Sequence, residues 1–204
     1  MSIQQRSEET YHRILEAAGR SFAQQGYDAT GVAEICRKAG VSKGAFYYHF
    51  SSKQALFLEL LDRWLDEIDE ELTALGAEAE TVPEALLAMA HALQQVFRDA
   101  TGRLPILLEF WRKAQRDPEI WEATIEPYRR YQERFAALIS TGVAEGSLRP
   151  VDSRLAARTL VSLAVGLVLQ GTLNPEGADW GSEATESVRL LLDGLRAGEP
   201  PAAP

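Results

Sequence analysis

Hydrogen-bond donors are concentrated in residues 42–53 of this 204-residue chain. Lys43 carries an ammonium group that donates to phosphate oxygens or to the O6 and N7 atoms of guanine, and Gly44 permits close approach to DNA. Further donors follow on Tyr47, Tyr48, His49 and Lys53. Two adjacent tyrosines and a histidine cannot all face the inside of one helix, so at least one of them is exposed. These side chains suit contacts to the phosphates and base edges of a nucleic acid.

Two short predicted helices position these donors. The first of the two, about residues 32–39, has its apolar residues on one side, and Gly40-Val41 then turns the chain. Ser42 is a good N-cap for the second helix, which ends near Phe50. Two short helices joined by such a turn can place the second one in the DNA major groove, where Lys43, Gly44 and Ala45 would meet base edges. Phe46 and Phe50 are assigned to the core.

The rest of the chain also has helical periodicity, and no segment alternates strictly like a strand. We therefore predict an all-α fold of nine helices. Besides the two above, these cover about residues 9–25, 52–75, 83–99, 104–115, 119–145, 152–173 and 182–197. We expect a linker over 76–81, and a kink or break near 123–127 because Pro127 removes a backbone donor inside a helix. Residues 199–204 are expected to form a disordered tail.

The charge distribution suggests two domains. The formal net charge of the chain is −9, but residues 1–53 carry seven Lys/Arg and five Asp/Glu, a net charge of +2. Residues 54–204 carry the remaining net charge of −11. A mildly basic head on an acidic body is expected of a small nucleic-acid-binding module fused to something else. The sequence thus predicts a DNA-binding domain over 1–53 and a second domain over 54–198.

Composition excludes several other classes of protein. A single cysteine, Cys36, rules out an internal disulfide framework and a multi-cysteine metal site. The N-terminal residues have no apolar segment typical of a secretory signal. The most apolar run, residues 160–169, is too short to span a bilayer. We expect a soluble, cytoplasmic protein that binds neither a membrane nor a metal.

Two apparent catalytic motifs are accidental. Gly40-Val41-Ser42-Lys43-Gly44 matches the G-x-S-x-G elbow of hydrolases, but that motif needs a strand before the serine, and the preceding residues form a predicted helix. Residues 9–12 contain one Glu-x-x-His, whereas a di-iron bundle needs two such pairs and further glutamates. Phosphate-binding and dinucleotide-binding glycine loops are missing from the sequence. The sequence therefore predicts no catalytic residues, no cofactor and no enzyme activity.

Residues 26–53, GYDATGVAEICRKAGVSKGAFYYHFSSK, closely resemble the DNA-binding domain of the TetR (tetracycline-repressor) family. The resemblance is strong over about residues 9–60, and the segment AEGSLR at 144–149 is similar to the junction before the family's eighth helix. It implies an all-helical homodimer with a three-helix head and a larger body that binds ligand and dimerises. It also implies a one-component transcriptional regulator, usually a repressor that a small molecule releases from a palindromic operator.

The resemblance assigns individual DNA contacts. It implies phosphate contacts for Thr30, Tyr47, Tyr48, His49 and Lys53, while Lys43 and Gly44 would face bases. Gly31 stands where the family often has Ser or Thr, which removes one phosphate contact. Ala33 replaces a frequent basic residue and leaves Arg37 and Lys38 as candidate charges. Cys36 is interpreted as a small buried hydrophobe.

The body offers candidate residues for a ligand pocket and a dimer interface. Aromatic residues in the fourth to seventh helices fit a largely apolar cavity, which we expect to bind a hydrophobic or aromatic compound. The predicted pocket residues are Trp64, His91, Trp111, Tyr128, Tyr131 and Phe135, with Glu109, Arg112 and Gln170 as further polar points. Small and leucine residues of the last two helices suit a four-helix bundle across a two-fold axis. The predicted interface residues are Leu160, Leu163, Leu167, Val188, Leu191 and Leu192.

Two functional hypotheses follow. In the first, the fourth helix connects head and body, so a ligand that shifts it changes the separation of two heads on DNA, with a coupling of roughly 1–3 kcal/mol. Pro127 would give the pocket one mobile wall. In the second, the chain is a helical ligand-binding or protein-interaction module whose head no longer binds DNA, as the net charge of −9, Gly31 and Ala33 would allow. Salt-dependent binding to a palindromic duplex separates the two.

Overall fold

The computed structural model describes residues 3–98 and 104–195 of the chain. Every regular element in these residues is an α-helix, which confirms the all-α prediction. In chain order the helices are α1 (Ile3–Gln25), α2 (Val32–Ala39), α3 (Lys43–His49), α4 (Lys53–Glu78), α5 (Val82–Arg98), α6 (Leu104–Ala114), α7 (Pro118–Glu145), α8 (Ser153–Leu173) and α9 (Trp180–Asp193). The predicted tail, residues 199–204, lies outside the described residues.

Polar side chains begin several helices as the sequence predicts. The Ser42 hydroxyl oxygen accepts a hydrogen bond from the Ala45 N–H at 3.1 Å, and Ser52 does the same for Ala55 at 3.0 Å. Asp152 accepts from the first turn of α8. Each of these acceptors satisfies an N–H group that has no partner within its helix.

Three predicted helix boundaries are corrected. Helix α4 continues to Glu78, into the predicted linker at 76–81, of which only residues 79–81 lie between α4 and α5. A side chain at Gly76 would meet the Met89 methyl group at 2.8 Å, so this glycine allows close packing rather than ending the helix. Helix α9 begins at Trp180, because Asp179 rather than Ser182 caps it. Helix α1 begins at Ile3, six residues before the predicted start.

Helix α7 continues through Pro127 without a break. A proline inside a helix costs one hydrogen bond and crowds the preceding turn. Buried side chains lie on both sides of it, since Ile120 and Ile139 are each almost fully buried. The predicted break does not occur.

The chain divides into two compact units. The first comprises Met1–Glu67 and Asp99–Thr124, and its core is built from α1–α3, the first half of α4, and α6. The second comprises Ile68–Arg98 and Ile125–Pro204, with a core shared by α5, α7, α8 and α9. The unit that contains α2 and α3 therefore also contains α6.

Helix α8 is the most apolar helix among the described residues. It has 21 residues and a mean hydropathy of 1.4 in its most apolar window, enough by length and composition to cross a membrane. Residues from Ala156 to Gly171 on one side of α8 are buried, and several of them belong to the core of the second unit. Packing within the protein accounts for part of this apolar character, since 39% of the most apolar stretch is buried.

Candidate nucleic-acid interface

Helix α3 has one buried side and one exposed side. Phe46 is fully buried and Phe50, its C-cap residue, is nearly so. The Phe50 ring stacks on Tyr11 of α1 with centroids 5.2 Å apart, and the Tyr11 hydroxyl donates to Glu59 of α4. Burial and the Glu59 carboxylate raise the pKa of Tyr11, which keeps its hydroxyl protonated. These contacts fix α3 on the head and determine which side faces outward.

The outward side of α3 carries the donors that the sequence singles out. Lys43, Gly44, Tyr47 and Tyr48 are all exposed, and their spacing places them on adjacent positions of one helix face. Tyr47 is 55% exposed and Tyr48 is 79% exposed. Within the described residues, neither tyrosine hydroxyl nor the Lys43 ammonium has a hydrogen-bond partner in the protein. Large aromatic side chains held in water with free hydroxyls are available to an external ligand.

Ala45 and His49 lie at the edge of this face. Both are partly buried. The His49 ring lies edge-on to Tyr48, with centroids 5.0 Å apart, and 5.9 Å from the Tyr11 ring. The structure thus brings together six of the eight DNA contacts that the sequence analysis names: Lys43, Gly44, Ala45, Tyr47, Tyr48 and His49.

Thr30 and Lys53 have a different place. Thr30 is fully buried, and its hydroxyl donates to the Gly26 carbonyl oxygen at 2.8 Å. The Lys53 ammonium donates to the carbonyl oxygens of Tyr27 and Thr30 at 2.8 and 2.9 Å, and its partial burial lowers its pKa. Both side chains hold the turn between α1 and α2. The single donor of Thr30 is already used inside the protein, whereas the partly exposed Lys53 ammonium uses two of its three N–H donors there.

The turn between α2 and α3 depends on Gly40 and on Arg13 of α1. Gly40 has a left-handed backbone, φ +63°, and the Val41 N–H closes the end of α2 on the Cys36 carbonyl at 3.0 Å. The Arg13 guanidinium donates to the carbonyl oxygens of Ala39 and Gly40. Arg13 thereby joins α1 to this turn. The sequence does not predict this role of Arg13, since no local pattern relates residue 13 to residue 40.

The local charge of this surface is positive. Residues 35–58 contain no Asp or Glu but four Lys or Arg residues, in a chain of net charge −9. Arg37 is exposed. Lys38 is engaged with Ser21 of α1 at 3.0 Å and with Glu34 at 3.2 Å, so Arg37 is the freer of the two candidate charges on α2. A basic, acid-free stretch around an exposed donor-rich helix is complementary to a polyanion.

Cys36 lies in the core beneath this surface. Its side chain is 5% exposed, and burial raises the pKa of the thiol. The described residues contain no cluster of His, Cys, Asp or Glu that could hold a metal ion.

The predicted pocket residues are divided between the two units. Trp64 and Trp111 belong to the first unit, whereas His91, Tyr128, Tyr131 and Phe135 belong to the second. His91 is exposed and the others are partly buried or, like Phe135, packed against a core. A groove of about 550 Å³ in the first unit is lined by Trp64 with residues of α1 and α6, and a groove of about 710 Å³ between α7 and α8 contains none of the six.

The predicted dimer residues are mostly buried within one protomer. Leu160, Leu167, Val188 and Leu192 are each at most 8% exposed, and Leu163 and Leu191 are partly buried against the same core. Among the side chains that the structure describes, the exposed leucines of the second unit are others. They are Leu155, Leu169, Leu173 and Leu190.

The arrangement of α2 and α3 defines a helix-turn-helix protein of the DNA-binding class. Comparison with known protein families agrees with this assignment to the DNA-binding class. Residues 14–60 match the profile of bacterial regulatory proteins of the tetR family, and residues 83–197 match the C-terminal domain of BetI-type transcriptional repressors. The chain belongs to the tetR family of bacterial regulatory proteins.

Individual relatives extend this match over the whole chain. The transcriptional regulator TtgR of Pseudomonas putida is 30% identical over 202 residues, covering 93% of each chain. A transcriptional regulator from Saccharomonospora viridis, solved in complex with choline, has a TM-score of 0.80 and 25% identity, covering 93% of this chain and 98% of its own. FadR from Bacillus subtilis, solved with stearoyl-CoA, shares the fold with a TM-score of 0.79 and 22% identity over 90% of this chain and 98% of its own.

These matches establish the general activity of the protein. It is a DNA-binding transcriptional regulator of the repressor type. The families that it matches consist of regulators, so it is not an enzyme.

Proposed function

We propose that the protein acts in the cytoplasm as a homodimer that binds a palindromic operator through α3 of each protomer. A small hydrophobic or aromatic effector then releases it from the operator. The observation on which this proposal depends is the exposed face of α3, where two tyrosine hydroxyls and one ammonium project from a helix without partners in the described part of the protein. A helix of this kind reads the major groove of DNA with its N-terminal residues.

The exposed residues divide into two kinds of contact. Lys43, Gly44 and Ala45 at the start of α3 are proposed to face bases, since the N-terminal end of a recognition helix points into the groove. Tyr47, Tyr48 and His49 are proposed to donate to phosphates, which position the protein without reading sequence. The functional boundary between head and body is proposed at residues 53 and 54, within the first turn of α4.

A dimer is supported by the exposed leucines of the second unit. Leu173 and Leu190 are 72% and 77% exposed, on α8 and α9 respectively. Leu155 and Leu169 add to the apolar character of the outer face of α8. Exposed apolar residues of this number on two helices mark an interaction surface. These leucines replace the four predicted residues that the protomer buries itself.

The effector is proposed to bind in the helical body. The relatives bind chemically different molecules, choline in one and stearoyl-CoA in another. Trp64, His91, Trp111, Tyr128, Tyr131 and Phe135 stay the proposed pocket residues.

Selection of bound duplexes from a random pool, followed by salt titration on the selected site, tests the proposal. We expect a palindromic site whose half-sites lie about 34–36 Å apart. The logarithm of the affinity should fall with the logarithm of salt concentration by about 0.9 for each phosphate neutralised. Equal, negligible binding to every duplex would overturn the proposal and support a module that binds ligands or proteins without DNA. A screen for compounds that release the selected duplex then identifies the effector.

A further inference from the structure

The turn between α1 and α2 is bound by the C-terminal end of α6. Asp28 in this turn accepts a hydrogen bond at Oδ2 from Arg112 at 2.7 Å and at Oδ1 from the Lys113 ammonium at 2.6 Å. The same Arg112 nitrogen donates to Glu109 at 2.9 Å. One carboxylate thus uses both of its oxygens to hold two consecutive cations of a helix that lies more than 80 residues away in the sequence.

Aromatic contacts reinforce the attachment of α6 to the head. The Phe110 ring is almost fully buried and stacks on Phe57 of α4, with centroids 3.8 Å apart. The Lys113 ammonium lies 4.3 Å from the centre of the Tyr27 ring, and the Lys53 ammonium lies 4.1 Å from the same ring. Cations over an aromatic ring are attracted by its electron-rich face. Residues 27–30 are consequently held from α4 and α6 together.

Asp28 is ionised throughout the physiological range. Hydrogen bonds from Lys113 and Arg112 lower its pKa to about 2. Its charge has no evident use in DNA binding, because an acid on the head repels phosphates. Asp28 instead has a structural place. It lies three residues before Gly31, the N-cap of α2, in the turn that leads into the helix-turn-helix.

We propose that Asp28, Arg112 and Lys113 are positioning residues for DNA binding, forming a clamp through which α6 holds the turn at 27–30 and the start of α2. The proposal rests on the proposed function and names a contact on which the geometry of the DNA-reading helices depends.

The substitution Asp28→Ala tests the clamp, because the clamp and simple electrostatics predict opposite changes in the affinity for DNA. Removing a negative charge from a DNA-binding head strengthens DNA binding if only overall electrostatics matters. The clamp requires the opposite result, an affinity for the selected operator that is lower by about 5-fold or more, the lower end of ordinary allosteric couplings. Amide hydrogen exchange at residues 27–31 should accelerate in the same variant.

A double-mutant cycle separates the clamp from additive charge effects. In the Asp28→Ala background, Arg112→Ala should lower the DNA affinity less than it does in the wild type, because only the pair of Arg112 with Glu109 is left to lose. Asp28→Asn keeps one of the two acceptor oxygens without the charge and should retain part of the affinity; it also serves if Asp28→Ala fails to fold. The matched control is Glu16→Ala, which removes an acid of the same unit that forms an exposed pair with Arg20 at 3.3 Å. It should bind DNA no more weakly than the wild type.

The outcomes distinguish this proposal from the proposed function. If the wild type binds no duplex, the proposed function fails. If the wild type binds its operator and Asp28→Ala binds equally well or more tightly, the clamp is overturned while the proposed function stands. Equal losses for Asp28→Ala and Glu16→Ala would also overturn the clamp.

Discussion

Lys43 and Tyr48 lie on the same exposed face of α3 but are expected to make different contacts with DNA. Lys43 is the first residue of the helix, where a side chain reaches base edges, and Tyr48 lies more than one turn later. A contact to a base distinguishes sequences, whereas a contact to a phosphate does not.

Tyr48→Phe should therefore weaken binding to all duplexes by a similar factor, because it removes only a hydroxyl that donates to phosphate. Lys43→Ala should weaken binding and also relax the base preference, by about 1–3 kcal/mol of discrimination at one base pair. Competition assays on the selected operator and its single-base variants measure both effects. A change of base preference in Tyr48→Phe would contradict the assignment of Tyr48 to phosphate.

Position 40 requires glycine because of its left-handed backbone conformation and because the Arg13 side chain lies close to it. Its φ is +63°, and a Cβ atom added there would lie 2.6 Å from the Arg13 guanidinium. Gly40→Ala should lower the free energy of unfolding by about 1–2 kcal/mol from the backbone alone, and displacement of Arg13 should add to this loss. Chemical denaturation measures it.

Gly44→Ala is the matched control for that experiment. Gly44 lies inside α3, and its added Cβ would make only an ordinary contact of 3.7 Å with Ser42. Alanine should stabilise the helix by about 0.8–1 kcal/mol relative to glycine. The same variant should bind DNA more weakly, since the methyl group occupies space needed for close approach. Destabilisation by Gly44→Ala and not by Gly40→Ala would contradict both expectations.

The ion pairs of Asp28 predict a pH dependence of stability. The pKa of Asp28 is lowered to about 2 in the folded protein by Lys113 and Arg112. A carboxyl whose pKa falls on folding stabilises the protein above its unfolded pKa, about 3.9, and this stabilisation is lost as the pH falls toward 2. The side chain is 63% exposed, so its contribution is at most about 1 kcal/mol.

The difference in melting temperature between the wild type and Asp28→Ala should accordingly be constant above about pH 5 and shrink between pH 4 and pH 2. Thermal unfolding followed by circular dichroism across this range measures it. A difference that grows as the pH falls would contradict the assignment.

At the scale of single elements, the start of α2 differs from those of α3 and α8. Gly31 is its N-cap and has no side chain to accept a hydrogen bond, although its φ of −98° and ψ of 151° suit a capping serine. Nothing lies within 4 Å of a Cβ atom placed there. Glu34, three residues on, instead accepts a hydrogen bond from Gln25 at 2.9 Å.

Gly31→Ser should raise the free energy of unfolding by a few tenths of a kcal/mol, because the hydroxyl oxygen can accept from a free N–H group of the first turn. Guanidinium denaturation measures the change against the wild type. Ser42 already makes this contact at the start of α3, so Ser42→Ala provides the reverse comparison. It should lower the free energy of unfolding by about 1 kcal/mol. A loss of stability in Gly31→Ser would show that its N-cap geometry is misassigned.

At the scale of the whole molecule, the exposed leucines of α8 and α9 make a second copy of the chain the expected partner. Symmetric dimers bind two half-sites about one helical turn apart, and each protomer supplies one recognition helix. Without a partner, Leu173 and Leu190 would be left 72% and 77% exposed in water.

Leu190→Glu combined with Leu173→Glu should convert the dimer to a monomer, because two carboxylates would be buried in the apolar interface. Analytical ultracentrifugation measures the mass, and operator binding should weaken in parallel. Ala77→Glu is the control, since Ala77 is an exposed residue of the same unit on another helix, α4. Dimers that persist in the double variant would place the interface elsewhere.

The sequence alone determined the helical class, most helix boundaries and the exposed face of α3. These features are local. Apolar residues that recur every three to four positions indicate a helix, Gly40 marks the end of α2, and Ser42 marks the start of α3. At least one of Tyr47, Tyr48 and His49 could be assigned to the surface, because one short helix cannot bury all three; that both tyrosines are exposed is seen in the structure.

Only the tertiary structure decided which side chains meet across the fold. Thr30 and Lys53 turn inward to hold a turn, four of the predicted dimer residues belong to the protomer's own core, and Asp28 pairs with α6 from a distance of more than 80 residues. Periodicity identifies the apolar face of a helix but not the helix that covers it, so pairings between distant segments follow from packing of the whole chain.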